Sequence, residues 1–367
     1  MRTGFTELPL HTGRAPAWLF SRMAKLARGV VSHVVEEYGA EDMLQRLSNP
    51  FWFQAFGCVL GFDWHSSGVT TTTCGAVKEG LKGLEQELGI VVAGGKGGIG
   101  RRTPQEIARA CEQLSQDPSP YIYASRMSAK VDSAAIQDGY QIYHHAFFFT
   151  KTGRWCVVQQ GMNEQTGLAR RYHWLGERVT NFVDEPHSAI CCDVRGPVMD
   201  FTAQQSVGAR QAATELIRQP FDITLTELQR LPSLRLPKRH QVMLKDLDSR
   251  YLRTILLKTY ERAPQDFESL LGIEGVGPKT LRALALVAEL VYDSPVSTRD
   301  PARFAFAHGG KDGTPFPVDR ATYDETVAIL DRALQRAKVE PSVKDGGLKR
   351  LAAWAKNLER SLPHADT

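Results

Sequence analysis

The stretch Leu270-Leu271-Gly272-Ile273-Glu274-Gly275-Val276-Gly277-Pro278-Lys279-Thr280, running into the apolar Leu281-Arg282-Ala283-Leu284-Ala285-Leu286-Val287, constrains the fold more than any other part of the chain. Gly275 and Gly277 permit a tight turn with exposed backbone N–H groups, and Pro278 suits the first position of a following helix. The pattern predicts a helix-hairpin-helix over residues 265–290, a unit that grips the nucleic-acid backbone. The positive end of its second helix would face an anion. Lys279 adds a full charge beside the turn, and the Thr280 hydroxyl offers a hydrogen bond to a phosphate oxygen. None of these groups reads a base. The plainer alternative is a Gly-ended helix joined to a Pro-started one.

Charge supports a polyanionic partner locally rather than globally. The 367 residues carry a formal net charge of only +4. Between Arg235 and Lys258, however, seven basic residues (Arg235, Lys238, Arg239, Lys245, Arg250, Arg253, Lys258) stand against Asp246 and Asp248. With Lys238 and Arg239 near the hairpin, this segment is expected to extend one phosphate-facing surface; its alternative is a solvated helix face. The six cysteines show no C-x-x-C spacing and read as reduced core residues. Trp18-Leu19-Phe20 is broken at once by Arg22, Lys25 and Arg28, so no signal peptide or membrane span is expected. A cytoplasmic protein with DNA as partner, and with room for a homodimer, is the expectation.

Periodicity divides the chain. Pro16 should start an amphipathic helix through Leu19, Met23, Leu26, Val30 and Val34, and Asn49-Pro50 should cap a third, nearly all-apolar helix through Leu60. Thr70 to Thr73 looks β-prone. Strands are expected at Ile90–Ala93, Tyr121–Ala124, Tyr143–Phe149 and Arg154–Gln160, the last two joined by Thr150-Lys151-Thr152-Gly153. Thr103-Pro104-Gln105-Glu106 reads as a capping box. From about Ser206 strand signals almost vanish. The expected fold class is therefore α+β: a mixed α/β N-terminal domain over residues 1–205, and an all-α helix-hairpin-helix C-terminal domain over residues 206–367.

Carboxylates and histidines concentrate between Asp63 and His187. Hydrolysis of a phosphodiester needs an activated water and cations to offset charge in the transition state, and Mn²⁺ or Mg²⁺ held by carboxylates supplies both. The expected metal ligands are Asp63, Asp132, Asp138 and Glu185 with His65 or His187, and the imidazoles favour Mn²⁺. His65 and His144 are candidates for a further ligand or a general base, and Lys130 for stabilising phosphate charge. Each of these residues also has a bland reading as a helix cap or satisfied polar group. Arg170-Arg171-Tyr172-His173-Trp174 interleaves basic and aromatic side chains, either to grip phosphates and stack unpaired bases or as a strand with one aromatic and one basic face. Gly95-Lys96-Gly97-Gly98-Ile99-Gly100 matches the dinucleotide fingerprint literally, but the next helix starts only at Thr103 and no acidic residue follows where one is needed. No nucleotide cofactor is expected.

The strings Leu8-Pro9-Leu10-His11-Thr12-Gly13, Phe62-Asp63-Trp64-His65-Ser66-Ser67-Gly68, Val131-Asp132, Gln137-Asp138-Gly139, Val158-Gln159-Gln160-Gly161-Met162-Asn163 and Ala307-His308-Gly309-Gly310-Lys311-Asp312-Gly313 resemble the domain of unknown function family 763 of archaea and bacteria. The resemblance implies a metal-dependent, manganese-using DNA nuclease; the ligand set above rests on residue chemistry instead. A second, partial resemblance is to helix-hairpin-helix DNA glycosylases, in which a Pro-Val-Asp segment carrying the catalytic carboxylate follows the hairpin. Here Pro317-Val318-Asp319 follows, after the insertion of Ser297 to Thr314. The leading expectation is a deoxyribonuclease acting on unpaired or distorted DNA in repair or processing. The alternatives are a glycosylase using Asp319 and a non-catalytic DNA-binding protein.

Overall fold

The computed structural model describes residues 16–62, 68–192, 194–220, 226, 249–303 and 320–359. Helix α1 (Ala17–Tyr38) follows Pro16, and α2 (Ala40–Ser48) leads to α3 (Pro50–Leu60). The Asn49 side chain accepts from the N–H groups of Phe51 and Trp52, as the Asn-Pro pair predicts. Helix α4 (Gly68–Gly80) takes in the threonine run that reads as β-prone. Packing overrides propensity there: a Cβ on Gly57 would lie 2.6 Å from Val69 Cγ1, so α3 and α4 approach closely, with Thr70 and Thr73 buried between them and their neighbours.

After the short α5 (Glu85–Leu88), β1 (Ile90–Lys96) enters the sheet, and α6 (Gly98–Arg101) and α7 (Thr103–Leu114) follow. The expected capping box does not form. Glu106 instead accepts from Gly94 N–H (2.8 Å) and Lys78 Nζ (2.6 Å), while Thr103 Oγ1 donates to the Gly100 carbonyl (2.6 Å). Tyr121–Ala124, expected as a strand, lies in α8 (Ser119–Lys130). Asp117 accepts from Ser119 N–H (2.9 Å) at its start, and Pro120 stands in its first turn.

Beyond α8 come β2 (Ile136–Gln137), β3 (Gln141–Thr150), β4 (Trp155–Met162), β5 (Ala169–Leu175), β6 (Ala189–Cys191) and β7 (Met199–Asp200). Five of the strands form one antiparallel sheet in the order β1-β3-β4-β5-β6, and β2 pairs with β7. The 150–154 turn joins β3 to β4 as predicted, with Thr150 N–H donating to Arg154 O (2.9 Å). Phe147, Phe148 and Phe149 run without alternation because helices cover both faces of the sheet.

On one face, Phe147, Phe149, Val157 and Trp174 pack with α7, α8, α9 (Val207–Arg218), α10 (Ser249–Arg262), α11 (Phe267–Gly272) and α12 (Pro278–Tyr292). On the other, Ala146, Phe148, Cys156, Val158 and Leu175 pack with α1 to α4, α13 (Arg320–Arg336) and α14 (Pro341–Glu359). The protein is thus mixed α+β with an antiparallel sheet. Among the described residues, the helices after Ser206 share both cores with the sheet and close no core of their own; Phe201, for example, stacks on Phe267 with ring centroids 5.1 Å apart. No helix is long and apolar enough to cross a membrane, among the described residues.

Candidate functional site

The predicted hairpin is present as α11, a turn and α12. Asp266 and Ser269 cap α11 reciprocally, the Ser269 N–H donating to Asp266 at 2.7 Å. Gly275 takes φ +95°, where an L side chain is strained, and a Cβ there would collide with Ile255 Cδ1. Gly277 is extended and makes no such demand. Gly275→Ala is expected to destabilise the protein by about 1–3 kcal/mol; urea unfolding measures it, and an unchanged midpoint would contradict the strained turn.

Two of the groups assigned to DNA behave differently. Lys279 is exposed at the start of α12, whereas Thr280 is buried and its hydroxyl has no partner among the described residues, so it does not face an incoming phosphate. Lys130, expected in catalysis, instead donates to the Ile273 carbonyl at 2.5 Å and holds the turn from beneath. Burial pushes its ammonium down to about 8, partly offset by Glu274. A cavity of about 560 Å³ lies between the turn and the 137–141 segment. There Gln137 Nε2 donates to the Pro278 carbonyl (3.0 Å), and Arg282 Nη1 donates to Gln137 Oε1 (3.1 Å).

Among the described residues, the predicted metal ligands do not assemble into one site. Among the described residues no three His, Cys, Asp or Glu side chains are grouped to hold a metal ion. Asp138 is committed to structure: its Oδ2 accepts from Arg170 Nη1 (2.9 Å) and the Tyr172 hydroxyl (2.6 Å), and its Oδ1 from Tyr140 N–H (2.9 Å). Glu185 is exposed, at φ +43°, with Arg303 Nη2 3.6 Å away. His144 is buried with both ring nitrogens unpartnered among the described residues, and burial pushes it down to about 3, so it is a neutral core residue. Asp63, His65, Lys238, Arg239 and Asp319 lie outside the described residues.

Arg170 and Arg171 are not phosphate-facing. Both are buried in β5, Arg170 beneath the 138–140 segment and Asp300, and Arg171 against Phe53 and Gln54 of α3. Arg170 Nη2 reaches Asp300 at 2.7 Å, so one guanidinium bridges two carboxylates over the Tyr140 ring. Arg171 Nη1 donates to Gln54 Oε1 (3.1 Å) and its guanidinium stacks over Phe53.

Two predicted residues do meet. Beyond α8 the chain makes a π-turn (Val131–Ala135) that carries Asp132 into the interior, fully buried. Asp132 Oδ1 lies 2.5 Å from His187 Nε2; its Oδ2 accepts from Gln159 Nε2 (2.5 Å) and Trp174 Nε1 (3.0 Å). The His187 ring packs on Trp174 with centroids 4.3 Å apart. His187 lines a cavity of about 320 Å³ shared with Glu185, Asp200, Arg195, Arg299 and Arg303. Burial pushes the Asp200 carboxyl up, against the hydrogen bonds it accepts from Thr202. In the sequence Gln159 stands within the family-resembling string Val158 to Asn163, which assigned it no role. Asp200 and the three arginines carry no local signal, since only the β5–β6 register and the 195–203 and 297–303 segments bring them to His187.

The fold and this site define a mixed α+β protein with a buried Asp–His pair opening on a polar cavity whose lining carries both arginines and carboxylates. The family described as "protein of unknown function (DUF763)" matches residues 4–318, and the chain belongs to it. No curated protein and no solved structure matches the chain.

Proposed function

We propose that this chain is a DNA-processing hydrolase that cleaves phosphodiesters at the cavity around His187, with the 272–279 hairpin holding the DNA backbone. The observation that carries the reading is the Asp132–His187 pair at the wall of a cavity lined by Arg195, Arg299 and Arg303. A carboxylate that fixes an imidazole beside a polar cavity is the arrangement of a general base. His187 Nε2 faces Asp132, and Nδ1 has no hydrogen-bond partner among the described residues, which leaves Nδ1 to take a proton from water.

In this reading the water oxygen forms a bond to phosphorus as its proton passes to Nδ1, and the bond to the leaving ester oxygen breaks. The arginines offset the added negative charge. Asp200 lines the same cavity, where burial favours its protonated form, and is the acid placed to give the leaving oxygen the proton it needs. The ligands expected for Mn²⁺ or Mg²⁺ do not assemble among the described residues, so no step here passes through a metal. Burial of Arg170 and Arg171 withdraws the sequence argument for stacking on unpaired bases.

The test incubates labelled duplex, single-stranded and bubble DNA with the protein in Mn²⁺, in Mg²⁺ and in EDTA. Cleavage products are expected, and the chelator arm reads the metal requirement. No product with any substrate in any arm would sink the reading. Separately, Lys279→Glu is expected to weaken binding and lower the salt slope by about one or more; an unchanged slope would remove the hairpin from the interface.

A further inference from the structure

Asp132 stands at one end of a longer line of buried polar groups. His145 Nδ1 lies 2.7 Å from Gln159 Oε1, and His145 Nε2 lies 2.8 Å from Ser125 Oγ. The line therefore runs from Ser125 through His145, Gln159 and Asp132 to His187, crossing from α8 to β3, β4, the π-turn and the segment before β6. Apart from His187, which is only slightly exposed, all of these side chains are buried.

Hydrogen-bond chemistry fixes every proton along it. The Trp174 indole N–H can only donate, so Asp132 Oδ2 is an acceptor, and Gln159 turns its NH₂ toward that same oxygen. That leaves the Gln159 carbonyl oxygen facing His145, which must then carry its proton on Nδ1. Burial lowers the affinity of His145 for a second proton, so its Nε2 is bare and accepts from the Ser125 hydroxyl. At the other end Asp132 already takes two donors, from Gln159 and Trp174, on Oδ2, and Oδ1 remains to accept from His187.

We propose that Gln159, backed by His145 and Ser125, is a positioning element that holds Asp132 as an acceptor and so fixes His187 in the tautomer with its proton on Nε2 and Nδ1 bare toward the cavity. The inference rests on the reading of His187 as the base. Neither Gln159 nor His145 touches substrate; each acts through Asp132. A flipped Gln159 amide would set its oxygen 2.5 Å from a carboxylate oxygen. The His145 Nδ1–H and the Ser125 hydroxyl oppose that flip, which accounts for two further buried polar side chains in an otherwise apolar layer.

The test reads tautomers directly by NMR of the full chain labelled with ¹⁵N-histidine, His187→Gln providing the assignment. In the unsubstituted protein the neutral His187 ring is expected to show a protonated Nε2 and a bare Nδ1, and His145 the opposite. Gln159→Leu is expected to mix the two His187 tautomers and to lower kcat while leaving KM near its value. His145→Asn places an amide N–H where Nδ1–H stood and is expected to keep the single His187 tautomer, whereas His145→Leu is not.

A bare Nε2 on His187 in the unsubstituted protein would overturn the proposal. So would a single unchanged tautomer in Gln159→Leu accompanied only by a lower melting temperature. The tautomer result stands or falls without any cleavage assay. Correct tautomers with no DNA cleavage would therefore refute the hydrolase reading alone, and cleavage lost in His187→Ala with the wrong tautomer would refute the positioning alone.

Discussion

His187→Ala is expected to lower DNA cleavage by about 10²–10⁴-fold, the span a positioned general base contributes. The effect should fall on kcat, because in the proposed mechanism Nδ1 would meet the attacking water while Arg195, Arg299 and Arg303, which line the same cavity, would still hold the phosphate. The fold should survive. His187 sits at a cavity wall, and its removal leaves Asp132 with two donors, Gln159 and Trp174, still in place. Far-ultraviolet circular dichroism and the urea midpoint check that the protein remains folded, and quenched time courses on labelled DNA give kcat and KM. Asp132→Asn should imitate much of the loss, since an amide can present its NH₂ to His187 and drive the ring toward the other tautomer. Retention of full cleavage by His187→Ala would move the chemistry away from this cavity. Loss of DNA binding together with cleavage would assign His187 to recognition instead.

Local signals in the sequence carried the local structure. Asn49-Pro50 announced a capped helix, Thr150 to Gly153 a β-hairpin, and Gly275 to Pro278 a helical one, because each depends on backbone chemistry within a few residues. Where burial decides, the same reading failed. Thr70 to Thr73 join a helix because α3 presents Gly57 to them, a contact no propensity foresees. Arg170 and Arg171 look like a basic stripe, yet both are buried in β5 and each finds internal partners. The site fared likewise. Asp132 and His187 stood among the expected ligands, but nothing local said that residues 55 apart would pair with each other and not share a metal with Asp138. Asp138 was expected as a ligand from the concentration of carboxylates and histidines, and its partners, 32 and 34 residues away on β5, decide that it is structural.

Arg170→Met is expected to destabilise the protein by about 3–5 kcal/mol, the cost of leaving buried charge without its partner. Arg170 is the only cation bonded to Asp138 among the described residues, and it also holds Asp300, whose side chain is 5% exposed. Burial already pushes the Asp138 carboxyl up, while Arg170 pulls it down. Removing the guanidinium removes that pull, so folded Asp138 keeps its proton to higher pH than it does with Arg170 in place. The unfolded chain releases that proton near the ordinary carboxylate value. Between the two the folded state binds more protons, and the contribution is greatest on the acid side and lost as pH rises through the folded value. The deficit against the unsubstituted protein should therefore be larger at about pH 8 than at about pH 5, as read by urea unfolding at both. Adding Asp138→Asn should recover part of it and flatten the pH dependence; a deficit equal at both pH values would show that Asp138 is not the group responsible. Arg170→Lys should not restore stability, because one ammonium cannot reproduce a planar fork that spans two carboxylates. Function should suffer on both sides of the bridge. Asp138 lines the cavity under the hairpin and Asp300 lines the one at His187, so the same buried guanidinium ties together the walls of the cavity beside the turn and of the cavity proposed for the chemistry.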